Sequence, residues 1–167
     1  MVRPDAWRCL RLDGRAVERI RRRIPDTAIT TDVIVGFCGE TDEQFQHSYD
    51  LLEELRFDKV HVAAYSPRTG TIAARTMADD VPPEVKAARL QAVESLEARI
   101  AGEINAGLAG SVQEVLVEEQ RKGKWSGRAR SDKLVHFTGD CRIGDVVCVR
   151  IEKTSPWSLQ GKIIAEG

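Results

Sequence analysis

Three stretches of this 167-residue chain carry groups able to do chemistry. The first is Gly36-Phe37-Cys38-Gly39-Glu40. Two glycines three apart let the backbone take positive φ or come close to a ligand. The same pair also suits a plain strand-to-helix turn. The second is Ser66-Pro67-Arg68-Thr69-Gly70. A guanidinium such as that of Arg68 matches a carboxylate or phosphate, and is otherwise a solvated loop arginine. The third holds Arg121, Lys122, Lys124, Arg128, Arg130 and Lys133 against Asp132 alone, a local excess of five positive charges. Such an excess attracts phosphates. Its other reading is a hairpin with a solvated outer face. Trp125 and Trp157 either stack on bases or fill and cover a barrel core. Glu40 and Glu43 read as helix-start acids rather than catalytic groups.

Metal chemistry finds little footing. Cys9, Cys38, Cys141 and Cys148 form no Cys-x-x-Cys pair, and no further ligands accompany Cys141 and Cys148. His47, His61 and His136 share no ligand spacing. No metal site is expected, and the thiols read as reduced and mostly buried.

These residues need elements to hold them. The run Val33-Ile34-Val35 suits a strand covered on both faces. Thr41 and Gln44 make a capping box, after which Phe45, Tyr49, Leu52 and Leu55 recur at helical spacing to about Arg56. A second strand, about Lys59–Tyr65, completes a βαβ unit with two parallel strands. The glycine turn and the Ser66 loop then share the carboxyl end of the sheet, where ligands bind in α/β barrels. Upstream, Ala16–Ile24 reads as a helix with Val17, Ile20 and Ile24 on one face, while residues 1–16, including Trp7, Cys9 and Leu10, show no period. A long helix starts near Pro83, with Val85, Ala88, Ala92, Val93, Leu96, Ile100 and Ile104 as its buried stripe. Beyond Gly110 the period changes to short strands near Val112–Val117, Trp125–Arg130, Leu134–Phe137, Val146–Ile151 and Leu159–Ile164. Five strands at this spacing predict a small β-barrel.

The fold class expected is therefore α/β over residues 1–108, followed by an all-β domain over 109–167. Composition is that of an ordinary globular protein, 42% hydrophobic and 31% charged with a net charge of −1. The absence of a long apolar run and of a leader-like start makes cytoplasm the expected location, with no membrane partner. Charge is uneven: residues 1–24 hold eight arginines against three acids, and residues 25–108 hold fifteen acids against seven bases.

The order of these motifs resembles a known family. Asp32-Val33-Ile34-Val35-Gly36-Phe37-Cys38-Gly39-Glu40-Thr41, followed by Tyr65-Ser66-Pro67-Arg68-Thr69-Gly70-Thr71, is similar to the late part of the radical-SAM barrel of methylthiotransferases. The stretches from Ser126 to Phe137, Gly144 to Val149 and Ser155 to Gly161 resemble the TRAM domain, a five-stranded OB-like barrel that closes those enzymes. The likeness covers about residues 17–167 and is greatest to the branch that methylthiolates isopentenyladenosine beside the tRNA anticodon. It implies a transferase in which a four-iron four-sulfur cluster cleaves S-adenosylmethionine, with the protein positioning the reactants.

Carried onto this chain, the resemblance gives Ile34, Gly36, Gly39, Ser66 and Arg68 to the S-adenosylmethionine pocket. It gives Lys124, Arg128, Arg130, Lys133, His136 and Trp157 to an RNA surface for the anticodon stem-loop. No catalytic residue is assigned. The family's Cys-x-x-x-Cys-x-x-Cys is absent, and Cys38 stands where the family usually has proline. The chain is thus expected to be the C-terminal part of such an enzyme. Alone it should bind neither cluster nor S-adenosylmethionine stably and should be inactive, unless the N-terminal cluster domains are supplied separately. A free-standing RNA-binding TRAM protein and an inactive gene remnant are the alternatives.

Overall fold

The computed structural model describes residues 6–164, and side chains from Gly14 onward. The side chains of Trp7, Cys9 and Leu10 lie outside the described residues. Two compact units result, one of residues up to Arg23 with Ile29–Glu97, the other of Ile24–Ala28 with the chain from Ala98.

The first unit holds α1 (Ala6–Arg23), β1 (Thr30–Val35), α2 (Asp42–Leu55), β2 (Lys59–Ala64), α3 (Ile72–Thr76) and most of α4 (Pro83–Ala106). β1 and β2 pair in parallel from Thr30 opposite Lys59 to Val35 opposite Ala64, as the βαβ reading requires. The expected capping box is formed: the Thr41 hydroxyl accepts from Gln44 N and the Gln44 side chain accepts from Thr41 N. At the other end of α2, Arg21 donates to the carbonyls of Leu55 and Arg56 at 2.6 and 2.8 Å. Those acceptors lie at the negative end of the helix dipole.

Several expectations are corrected here. α1 begins ten residues before the expected Ala16, and of its expected stripe Val17 is buried while Ile20 and Ile24 are exposed. β1 is not covered on both faces. Burial alternates along it, leaving Val35 buried and Ile34 58% exposed, because its sheet has two strands and one covered face. On α4 the buried face runs through Lys86, Arg89, Val93, Leu96 and Ile100, and Ala88 points out. The apolar-stripe reading missed that face because two of its members are cations whose charges are paired within the fold. α3, a single short turn capped by the Thr71 hydroxyl on Ala74 N, has no apolar period to announce it.

The second unit contains a closed barrel of β3 (Val112–Arg121), β4 (Lys124–Ala129), β5 (Leu134–Thr138), β6 (Val146–Thr154) and β7 (Leu159–Ile163) in the order β3-β4-β5-β7-β6. All five strands fall where the sequence placed them. Alternate residues point inward, and Val115, Val117, Ala129, Val135, Phe137, Val149, Ile151 and Leu159 form the core. Each large core side chain contributes about 1.5–3 kcal/mol by burial. Closure needs backbones in close approach. A Cβ on Gly161 would lie 2.1 Å from the Arg150 carbonyl oxygen, and one on Gly127 2.0 Å from that of Leu116. Lys122 and Gly123 both take positive φ, as a two-residue hairpin loop demands.

Candidate functional site

In the first unit the sheet's carboxyl end carries the glycine turn. Gly36 has φ 71°, and a Cβ there would lie 2.4 Å from Lys86 Cγ. The lysine stem occupies the space a side chain would need, so packing alone requires glycine. Gly39, at φ 78°, has open space around its missing Cβ. The turn's amides are spoken for within the protein: Gly36 N donates to Glu40 Oε2 at 2.6 Å and Gly39 N to Asp80 Oδ1 at 2.7 Å.

A polar network backs this turn. Arg89, 6% exposed, donates to Glu40 Oε2 and Asp42 Oδ1, each at 2.7 Å, and lies over the Phe45 ring. Lys86 Nζ forms an ion pair with Asp79 and sits 5.3 Å from the centre of the Tyr65 ring. Tyr65 also meets Phe37 edge-on at 4.9 Å. Its buried hydroxyl makes no hydrogen bond of ordinary geometry. Cys38 first, then burial and the charge of Asp79, push that phenol above its usual pKa. Sequence reading missed Lys86, Arg89 and Asp80, which come from a segment more than forty residues away; no local pattern signals that return.

Ile34 is exposed on the open sheet face, and Ser66 and Arg68 are exposed on the loop after β2. That loop follows the strand paired with β1, and Tyr65 N donates to Val35 O at 2.8 Å. The open cavity at Gly39 is lined by Glu40, Thr41, Asp42, Asp80 and Arg89, and Ile34, Ser66 and Arg68 are not among its lining residues. A cluster does not fit: among the described residues no three His, Cys, Asp or Glu side chains converge, and an iron–sulfur cluster needs several thiolates at one point. Of the described cysteines, Cys38 is buried and Cys141 and Cys148 are half-buried.

On the barrel, the six residues expected to meet RNA divide between surfaces. Arg128 and Arg130 lie on and just beyond β4, within side-chain reach of Glu118 and Glu114 on the partner strand β3. Arg130 is ion-paired with Glu114, which raises its pKa further, and Arg128 lies 3.7 Å from Glu118. Arg121 lies 3.3 Å from Glu119. Counting these three acids cuts the excess of five positive charges to two. Lys133 is half-buried, and Trp157 is 54% exposed. Trp125 packs against the core and donates to Gly139 O at 3.0 Å, which settles it as a barrel-covering residue.

Lys124 and His136 lie elsewhere. They line an open groove of about 420 Å³ with Thr138, Glu152, Lys153, Gln160 and Lys162. β5 and β7 run parallel, with His136 opposite Gln160 and Thr138 opposite Lys162; on the other side of β7, Lys153 stands opposite Gln160.

The barrel's sequence has a family of its own: residues 108–164 match the TRAM domain. This barrel is a TRAM domain. Most of the chain, moreover, is similar to one kind of protein. It is 50% identical over 149 residues to a tRNA-2-methylthio-N(6)-dimethylallyladenosine synthase of Dehalococcoides mccartyi (strain CBDB1), covering 89% of this chain and 36% of the relative. It is 48% identical to the protein of that name from Chloroflexus aurantiacus, over 87% of this chain and 32% of the relative. With the one from Acetivibrio thermocellus it shares 47% over 89% of the chain and 32% of the relative. The chain thus spans about a third of the length of these relatives. No helix among the described residues is long and apolar enough to cross a membrane.

Lys153 and Lys162 of the TRAM barrel escaped the sequence reading. Strand alternation places Lys162 on the outer face, but only the parallel β5–β7 pairing brings it beside His136 and Lys124, and no local pattern encodes that pairing.

Proposed function

We propose that this chain serves a tRNA methylthiotransferase, as the TRAM barrel that docks the anticodon stem-loop and as part of an S-adenosylmethionine pocket. In this reading residues 1–108 are the end of a radical-SAM barrel and residues 109–167 the RNA-docking domain. The observation that carries it is the TRAM match joined, in one chain, to preceding sequence within the same alignment, 50% identical over 149 residues in all. Its substrate is the adenosine beside the anticodon, already bearing an isopentenyl group, and its place is the cytoplasm with tRNA.

The barrel's task is positioning. Cationic side chains on a rigid β surface meet phosphates and fix the register of an RNA stem without reading its sequence. On the βαβ side, Ile34 would lie against an adenine, the backbone at Gly39 would admit the nucleoside, and Ser66 and Arg68 would meet its polar groups. S-adenosylmethionine, when bound, supplies the reactive sulfonium. Residues of this chain bind and orient, and none is placed at a bond that breaks.

Fluorescence anisotropy of a labelled anticodon stem-loop, titrated with the full chain at low salt, tests the reading. Saturable binding that weakens as salt rises is expected. An RNA that stays unbound up to high micromolar protein would refute it.

A further inference from the structure

The hairpin and the groove make different offers to a polyanion. On the β3–β4 hairpin, Arg121, Arg128 and Arg130 each have a carboxylate within ion-pair reach. An RNA phosphate there must compete with a resident glutamate. In the groove, Lys124, Lys153 and Lys162 surround a single acid, Glu152, which lies 3.1 Å from Lys162. Among the described residues neither Lys124 nor Lys153 has an ion-pair partner. Along the groove His136 stands opposite Gln160 and Thr138 opposite Lys162 across β5 and β7.

We infer that the RNA backbone is held in this groove, by Lys124 of β4, Lys153 of β6 and Lys162 of β7, and not by the arginines of the β3–β4 hairpin. The inference rests on the tRNA-docking reading above and assigns that docking to one face. Three lysines from three strands stand around one concavity, so successive phosphates can each meet a cation that gives up no partner or only Glu152. Compact ammonium groups on flexible stems suit phosphates whose spacing varies along a bent stem-loop. His136 and Gln160 offer hydrogen bonds to ribose or phosphate oxygens between them.

The test compares variants of the full chain for binding to an anticodon stem-loop across a salt series. Lys153→Ala with Lys162→Ala should weaken binding about tenfold at low salt and shallow the slope of log affinity against log salt by about two. Lys124→Ala, on a different strand, should weaken it in the same sense. Arg128→Ala with Arg130→Ala should stay within about twofold of the parent, because the phosphate contacts are elsewhere. Lys153→Arg with Lys162→Arg should restore binding, and its agreement with the parent separates lost charge from lost fold. If the arginine pair loses affinity and slope while the lysine variants match the parent, the groove assignment is overturned and the docking reading stands. A parent that binds no RNA overturns both.

Discussion

His136 and Gln160 are register partners in a parallel ladder, twenty-four residues apart in the chain and side by side on the barrel's outer face. That pairing closes the barrel and gathers Lys124, Lys153 and Lys162 around one groove. Closure and the groove therefore depend on the same strand order.

Gly161→Ala tests that dependence. The new methyl would lie 2.1 Å from the Arg150 carbonyl oxygen, so β6 and β7 must part or slip. A loss of about 3 kcal/mol or more is expected in urea denaturation of the second unit. A loss below about 1 kcal/mol would mean that the strands do not approach so closely.

The glycine turn makes a separate demand. Arg89 is buried and is the cation between Glu40 and Asp42, so Arg89→Ala strands the Glu40 carboxylate, which is 15% exposed. Asp42 is fully in water and adds little. The substitution should destabilise the first unit by about 3 kcal/mol, toward the lower end for breaking a buried pair. Glu40→Gln with Arg89→Met should recover part of that loss, since replacing both partners leaves no buried charge unpaired. Denaturant midpoints of the two variants check both statements.

Tyr65 gives a pH signature. Its phenol is held above the ordinary value by Cys38 first, then by burial and Asp79. A raised phenol pKa means the native state keeps a proton that the unfolded state loses. Stability from this group is thus present below the unfolded pKa near 10 and is lost as pH rises through that value toward the native one. In a phenolate absorbance titration one of the two tyrosines should ionise late, and Cys38→Ala should bring it back toward the ordinary range. Two tyrosines titrating together in the parent would contradict this.

The local features were legible because neighbours in sequence create them. Thr41 and Gln44 are three apart, so their capping box needs no tertiary fold. The five barrel strands were visible from short alternating runs between turns. What stayed hidden was long-range. Glu114 and Glu118 neutralise Arg130 and Arg128 only once β3 lies beside β4, so charge counted along the chain overstated the hairpin's pull on phosphate. Lys86 and Arg89 lie outside the apolar stripe expected of α4, yet Arg89 is needed inward by Glu40 and Lys86 by Asp79. Ile34 looked like core because it sits in an apolar run, and a two-stranded sheet leaves its face open.

Residue-level mapping of the RNA surface tests the account most directly. Amide chemical shifts of the isotope-labelled chain would be followed as an anticodon stem-loop is added at low salt. The expected changes concentrate on Lys124, His136, Thr138, Lys153, Gln160 and Lys162, and fade as salt is raised. Changes confined to Arg128 and Arg130, or to the βαβ unit with the barrel silent, would contradict it.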